Sequence, residues 1–314
     1  MTGLRAVPGP AVGDGLARRD LVLAAVVGIG LSRLVEPPAV WLVAVLLVAA
    51  LVVGGLQVLA DESAEGLGGG LSSRDGVSRR ESLPSRDSLP GREGLGIPVE
   101  ALILPAVATF ASVGAVRIMP FGLWLVPAMA AVALLVGRCL AIESRIAVDR
   151  GSLSDDDRRA VLATVVLVAF LGFVGVAAMV PGGLSLDASG ASGGPGMLGG
   201  PGASLDGWLL AGADGVMAFL LGYRAATLRV VTVRVAAWSA VMYGAAVAIG
   251  AVAMQAAVLP PLLGPALLTL VFYLWGVFHA SSSDSRRPSG WLRETLMLVV
   301  LGIVVVTWSL LSPK

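Results

Sequence analysis

LVLAAVVGIGLSRLVEPPAVWLVAVLLVAALVVGGLQVLA, residues 21–60, decides the fold. It holds two apolar runs separated by Arg33, Glu36 and a pair of prolines. An α-helix rises about 1.5 Å per residue, so about 20 apolar residues cross a hydrocarbon layer of about 30 Å. Pro cannot continue a helix comfortably, and it pushes the residue before it toward extended geometry. Glu36-Pro37-Pro38 therefore reads as a tight turn between two transmembrane helices.

The same pattern recurs along the chain and predicts an all-α, polytopic transmembrane bundle of about nine spans. Their approximate limits are 20–35, 39–60, 98–116, 121–141, 159–180, 208–223, 235–257, 262–280 and 291–311. The first and sixth are short for a full crossing. The composition agrees: 56% of the 314 residues are hydrophobic and 14% are charged, against about 45–50% and about 25% in soluble domains. Six segments follow: a tail (1–19), a hairpin (20–60), a polar linker (61–97), helices three to five (98–180), a Gly-rich loop (181–207) and helices six to nine (208–311).

Charge sets the expected orientation. Cytoplasmic loops of membrane proteins are enriched in Lys and Arg. With the N-terminus in the cytoplasm and the C-terminus outside, all of the 22 basic residues except Arg33, Arg117 and Lys314 fall on the inner side. Tryptophans fall near predicted span ends, Trp41, Trp124, Trp208 and Trp308 outside and Trp238, Trp275 and Trp291 inside, as interfacial aromatic belts do. The basic residues are 21 Arg and one Lys, with abundant Ala, Gly and Val. That skew points to a GC-rich bacterial genome, and so to the bacterial inner (plasma) membrane.

Two outer turns are alike. RLVEPPAVWLV (33–43) and RIMPFGLWLV (117–126) align with one gap: Arg, apolar residues, a Pro turn, then Trp-Leu-Val. The pattern fits a repeat of hairpins in parallel orientation. It also fits the general wish of any outer hairpin for Arg and Trp at its rim.

The linker contains RDGVSRRESLPSRDSLPGREGLGI (74–97), four units of six residues that each begin with Arg and an acid. One aliphatic residue per unit is too few to offset the entropy of ordering so much Ser, Gly and Pro. A disordered low-complexity linker is expected, with a docking segment as the alternative. The loop 181–207, rich in Gly, Ser and Pro, reads as a flexible outer connection.

Several motifs are weaker than they look. ARRDLVL (17–23) has the paired Arg of an export signal, but no small-residue cleavage pattern follows. GASG (190–193) resembles the nucleophile motif of rhomboid-type intramembrane proteases. The single His279, its only base, is predicted at the opposite face of the membrane, and a base must come within about 3 Å of its proton. Ser154 with Asp157 in SLSDDDRR (152–159) reads as a helix cap rather than a metal site. One Cys, Cys139, excludes an intramolecular disulfide framework, and one His excludes a His-cluster metal site. No catalytic residue, cofactor, metal or nucleic-acid partner is expected. The expected partners are the lipid bilayer and other membrane subunits.

A candidate intramembrane polar site remains. Asp214 lies in WLLAGADGVMAFLLGY (208–223), six residues past Trp208, about 9 Å below the outer interface. Gly212 and Gly215 flank it and would admit a close helix. Arg33, Glu36 and Arg117 lie at the same side, and an Asp214 pair with Arg33 or Arg117 would lower the burial cost of both. Thr109, Ser112, Tyr243 and Gln255 are polar enough to bond between helices.

Three functions fit. The first is a non-catalytic scaffold or membrane subunit of an assembly. The second is a permease with an outer-facing cavity near Asp214. The third is an enzyme acting on lipid-linked substrates, for which Glu36 is a lone acid in the first outer loop.

Overall fold

The computed structural model describes residues 12–36, 39–68, 99–120, 122–148, 154–180, 201–228, 232–256 and 262–283, with a few positions beyond. Among these residues the fold is all α. Its helices are α1 (Val12–Ser32), α2 (Ala39–Gly68), α3 (Ile103–Ile118), α4 (Leu125–Val148), α5 (Asp155–Met179), α6 (Pro201–Thr227), α7 (Val233–Ala256) and α8 (Leu263–Ser283). A 3₁₀ turn, Val99–Leu102, leads into α3.

Six of these helices, α2 to α7, are long and apolar enough to cross a membrane, and α8 carries a shorter apolar stretch, Leu263–His279. α1 is not among the six; its apolar run follows the charged Arg18-Arg19-Asp20. The ninth expected helix, 291–311, falls outside the described residues apart from Leu296, Met297, Val300, Gly302 and Thr307, which are helical. The linker 74–97 and the GASG motif also lie outside them.

Some helices overrun their predicted limits. α4 continues to Val148 rather than stopping near 141, and α6 spans 27 residues rather than a short 208–223. The reason is physical. Hydropathy marks where a chain leaves lipid, whereas backbone hydrogen bonding continues until caps, Pro or Gly stop it. LAIESRIAV (140–148) contains neither Gly nor Pro, so α4 carries its polar side chains onward as helix.

α3 is the centre. Of its apolar span 72% is buried, against 22% for α2 and for α4. One apolar cluster joins α3 to α5, α6, α7 and α8 through Leu104, Phe173, Leu221, Val247 and Phe272. A second joins it to α1, α2 and α4 through Ile29, Val40, Val113 and Val136. Lipid tails are as apolar as Leu, so close van der Waals contact at small residues drives association within a bilayer. Gly114 of α3 lies directly against the Gly175 backbone of α5, and a β-carbon on Gly175 would sit 2.6 Å from the Ala111 carbonyl oxygen. α6 and α7 approach likewise, a β-carbon on Gly244 falling 2.9 Å from the Gly215 carbonyl oxygen.

Polar side chains inside the bundle behave differently from expectation. Thr109 and Ser112 do not bond across helices. Their hydroxyls donate to the carbonyls one turn back, Pro105 at 2.9 Å and Ala108 at 2.7 Å. Thr269 does the same to Pro265 at 2.8 Å. Gln255 does cross, its Nε2 donating to the Gly207 carbonyl at 2.8 Å. Ser154 caps α5, its Oγ accepting from the Asp157 backbone N–H at 3.1 Å.

Candidate functional site

The four residues singled out from the sequence divide into two places. Arg33 follows the last turn of α1, and Arg117 lies in the last turn of α3. Helix C-termini present carbonyls without intrahelical partners. Arg117 Nη1 donates to the carbonyls of Ser32 at 3.3 Å and Val35 at 2.8 Å. Arg33 Nη2 donates to the Met119 carbonyl. Each guanidinium thus closes the helix end that carries the other. Glu36 is exposed beside this rim.

Asp214 is elsewhere. It is 1% exposed in the middle of α6, and no hydrogen-bond partner reaches its Oδ1 among the described residues. No ion pair joins it to Arg33 or Arg117, whose described hydrogen bonds end on carbonyls. Of its two flanking glycines only Gly215 meets a neighbour. A β-carbon there would lie 3.2 Å from Ala248 Cβ, whereas at Gly212 it would meet nothing within 4 Å. The close approach expected around Asp214 is therefore one-sided and belongs to the α6–α7 seam.

The opposite end of the bundle holds a polar cluster that sequence reading passed over. Arg224 Nε donates to Glu143 Oε1 at 2.7 Å, and its Nη2 donates to Glu143 Oε2. The side chains are 5% and 4% exposed. This fork-on-carboxylate geometry is the strongest form of ion pair. Arg224 Nη1 also donates to Thr227 Oγ1 at 3.1 Å. The pair joins α4 to α6, whose backbones barely approach each other.

Around it, Tyr223 donates to Glu100 Oε1 at 3.0 Å, and Arg18 Nη1 donates to Ser144 Oγ at 3.1 Å. These bonds tie α6 to the turn before α3, and α1 to α4. A crevice of about 30 Å³ lies beside Glu143, lined by Arg18, Ser144, Leu102 and Gly55. That is room for a water molecule, which needs at least about 10–15 Å³.

Glu143 and Arg224 were missed because both lie past the apolar limits of their helices. Arg224 reads as one more inner-side topology charge, and Glu143 lies two residues beyond the predicted end of its span. The available signal was the unbroken helical sequence after each apolar run.

The helix composition is that of a multi-pass membrane protein. Comparison with protein-family models, with curated proteins and with solved structures finds no match.

Proposed function

We propose that the chain is a non-catalytic scaffold, the membrane subunit of a larger assembly in the bacterial inner membrane, with its N-terminus in the cytoplasm. The observation that carries this reading is the buried Glu143–Arg224 pair, which binds helices that otherwise barely touch. A charge pair taken from water contributes little net stability, but it fixes which elements face each other. The Arg33 and Arg117 bonds at the other end act in the same sense, holding α1 against α3. Charges spent on helix-to-helix geometry suit a rigid platform. Large apolar side chains on the outward faces of α2, α4 and α7, such as Leu42, Leu46, Leu134 and Ile249, remain for lipid or partner helices.

Purification of the full chain in mild detergent tests this reading. A membrane partner retained at fixed stoichiometry is the expected result. A clean monomer carrying a small polar solute overturns it.

One observation favours a second reading, a permease. Asp214 is buried within a span without a partner at Oδ1, and ionisable groups in membranes mark solute or proton paths by default. Proteoliposomes containing a pH-sensitive dye decide the matter. Proton flux lost in Asp214→Asn supports a proton-coupled permease, and unchanged flux removes the acid from any mechanism.

A further inference from the structure

α4 turns one stripe of residues away from the bundle. Pro127, Ala131, Leu134, Arg138, Ala141 and Arg145 are all exposed. Their alternating spacings of four and three keep them within about 80° of one another around the helix. The opposite side of α4 is occupied. Val132, Val136 and Cys139 lie in the two apolar clusters, Ser144 accepts from Arg18 of α1, and Glu143 takes both bonds of Arg224.

Arg138 is the unusual member of the stripe. Among the described residues it is the only exposed charge more than two residues inside the limits of an apolar span. It is eight residues from Ile146, the nearer limit, and no hydrogen bond or ion pair reaches it among the described residues. The nearest acids do not serve it. Glu143 is buried with Arg224, about 140° around α4 from the estimate that five residues turn 500°. Asp20 lies two residues from Arg18, which bonds to α4, and so about 200° away around α1. Asp149 is eleven residues further along the chain.

Depth decides what can meet this charge. Trp124, 71% exposed, stands just before α4, where an interfacial tryptophan belongs. Arg138 lies fourteen residues beyond it, about 21 Å along the axis. The far face of a hydrocarbon layer of about 30 Å is then about 9 Å further on, and any tilt of α4 widens that gap. Arg145 reaches the far face, where lipid phosphates suffice for it. Arg138 lies within the hydrocarbon, where charged side chains are expensive and face protein or water.

We propose that this face of α4 is where a partner subunit docks, through a transmembrane helix that sets an Asp or Glu carboxylate against Arg138. A guanidinium and a carboxylate match as a fork, and Ala131 and Ala141 on the same stripe admit a close backbone. α2 offers the contrast. It is as bare as α4, with 22% of each span buried, but no charged residue falls within Ala39–Gln57, so lipid alone suits it. A second copy of this chain does not supply the acid. Among the described residues of the spans, Glu143 and Asp214 are buried, and Glu100 and Asp157 stand at the span limits. The partner is a different chain. This inference rests on the scaffold reading and names the face that reading uses.

The test places photoreactive p-benzoylphenylalanine in the full chain at Leu134, one turn from Arg138, or at Leu46 on α2, within the membranes of cells that naturally make the protein. The probe at Leu134 is expected to crosslink a membrane protein, and the probe at Leu46 phospholipid. Arg138→Glu should cut the Leu134 crosslink at least several-fold while melting in detergent as the wild type does, with Arg138→Gln as a milder version should the reversed charge impair folding. Replacing the acid of the crosslinked helix by Arg should restore the yield in Arg138→Glu. A Leu134 probe that meets only phospholipid overturns the proposal. So does an undiminished crosslink in a folded Arg138 variant, or a charge swap that restores nothing. A partner crosslinked from Leu46 alone overturns this face and leaves the scaffold reading standing, whereas a chain that retains no partner on purification overturns both.

Discussion

Arg33 and Arg117 each donate to the carbonyl two residues beyond the other. Arg117 reaches Val35 at 2.8 Å, and Arg33 reaches Met119. The two arginines occupy equivalent positions in the alike stretches 33–43 and 117–126. The sequence likeness thus has a counterpart in reciprocal bonding, the pattern that two hairpins related by a local two-fold axis would show. Each positive charge also lies at a helix C-terminus, where the helix dipole favours it.

This exchange sets a first prediction. Arg117→Ala removes two charge-assisted hydrogen bonds and should destabilise the detergent-solubilised protein by at most about 1.5–3 kcal/mol, because the site is half-exposed. Arg33→Ala should cost less. The double variant should lose less than the sum, since both residues serve the same pair of helix ends. Thermal melting of the four proteins checks this, and strict additivity would sink it.

Glu143 and Arg224 give a second. Removing one partner of a buried pair leaves an uncompensated charge, at a cost of about 3–5 kcal/mol. Glu143→Ala and Arg224→Ala should each melt far below the wild type. Glu143→Leu combined with Arg224→Met should melt above either single variant, because no unpaired charge remains.

Asp214 should behave in the opposite way. Its carboxylate is buried with no partner at Oδ1, so folding has to take a polar group out of water for little return. Asp214→Asn keeps the shape and removes the charge, and its melting temperature should equal or exceed that of the wild type. A clear drop would make Asp214 a structural tie.

The glycines of the seams differ from those outside them. Gly114→Ala drives a β-carbon onto the Gly175 backbone, which no rotamer change can relieve. It should cost about 1–3 kcal/mol or more. Gly212→Ala meets nothing within 4 Å and should stabilise α6 by about 0.5–1 kcal/mol through reduced backbone freedom in the unfolded chain. Comparing the two melts separates packing from backbone entropy.

Orientation can be read chemically, since Cys139 is the sole cysteine and is buried. In intact cells a membrane-impermeant maleimide should label Ser192→Cys in the loop 181–207. It should label Ser85→Cys in the loop 61–97 only after lysis. The reverse pattern inverts the proposed topology.

Much of this fold was legible in one dimension. The apolar runs place α2 to α8 to within a few residues at most ends, and the Pro-marked turn at 36–38 separates α1 from α2. Arg33 and Arg117 stood out as the two arginines on the Arg-poor side, and they meet at one rim. Asp214 stood out as an acid within a span, and it is buried. The expected pairing of Asp214 with those arginines was not legible, because their guanidiniums had helix-end carbonyls within reach. The Glu143–Arg224 pair was hidden by the assumption that a helix ends where its hydropathy falls.

The sequence by itself determined that the chain is helical, where it turns, and which segments are apolar enough for a bilayer. Those are local properties, set by each residue's transfer free energy and by Pro and Gly. Only the tertiary structure decided which side chains meet. It turned the Thr109 and Ser112 hydroxyls back onto α3, placed Gly114 against Gly175, and brought Glu143 to Arg224. A partner depends on how each helix is rotated about its axis and on which helix lies beside it. Both are fixed by the fit of small residues between helices, which no single segment contains.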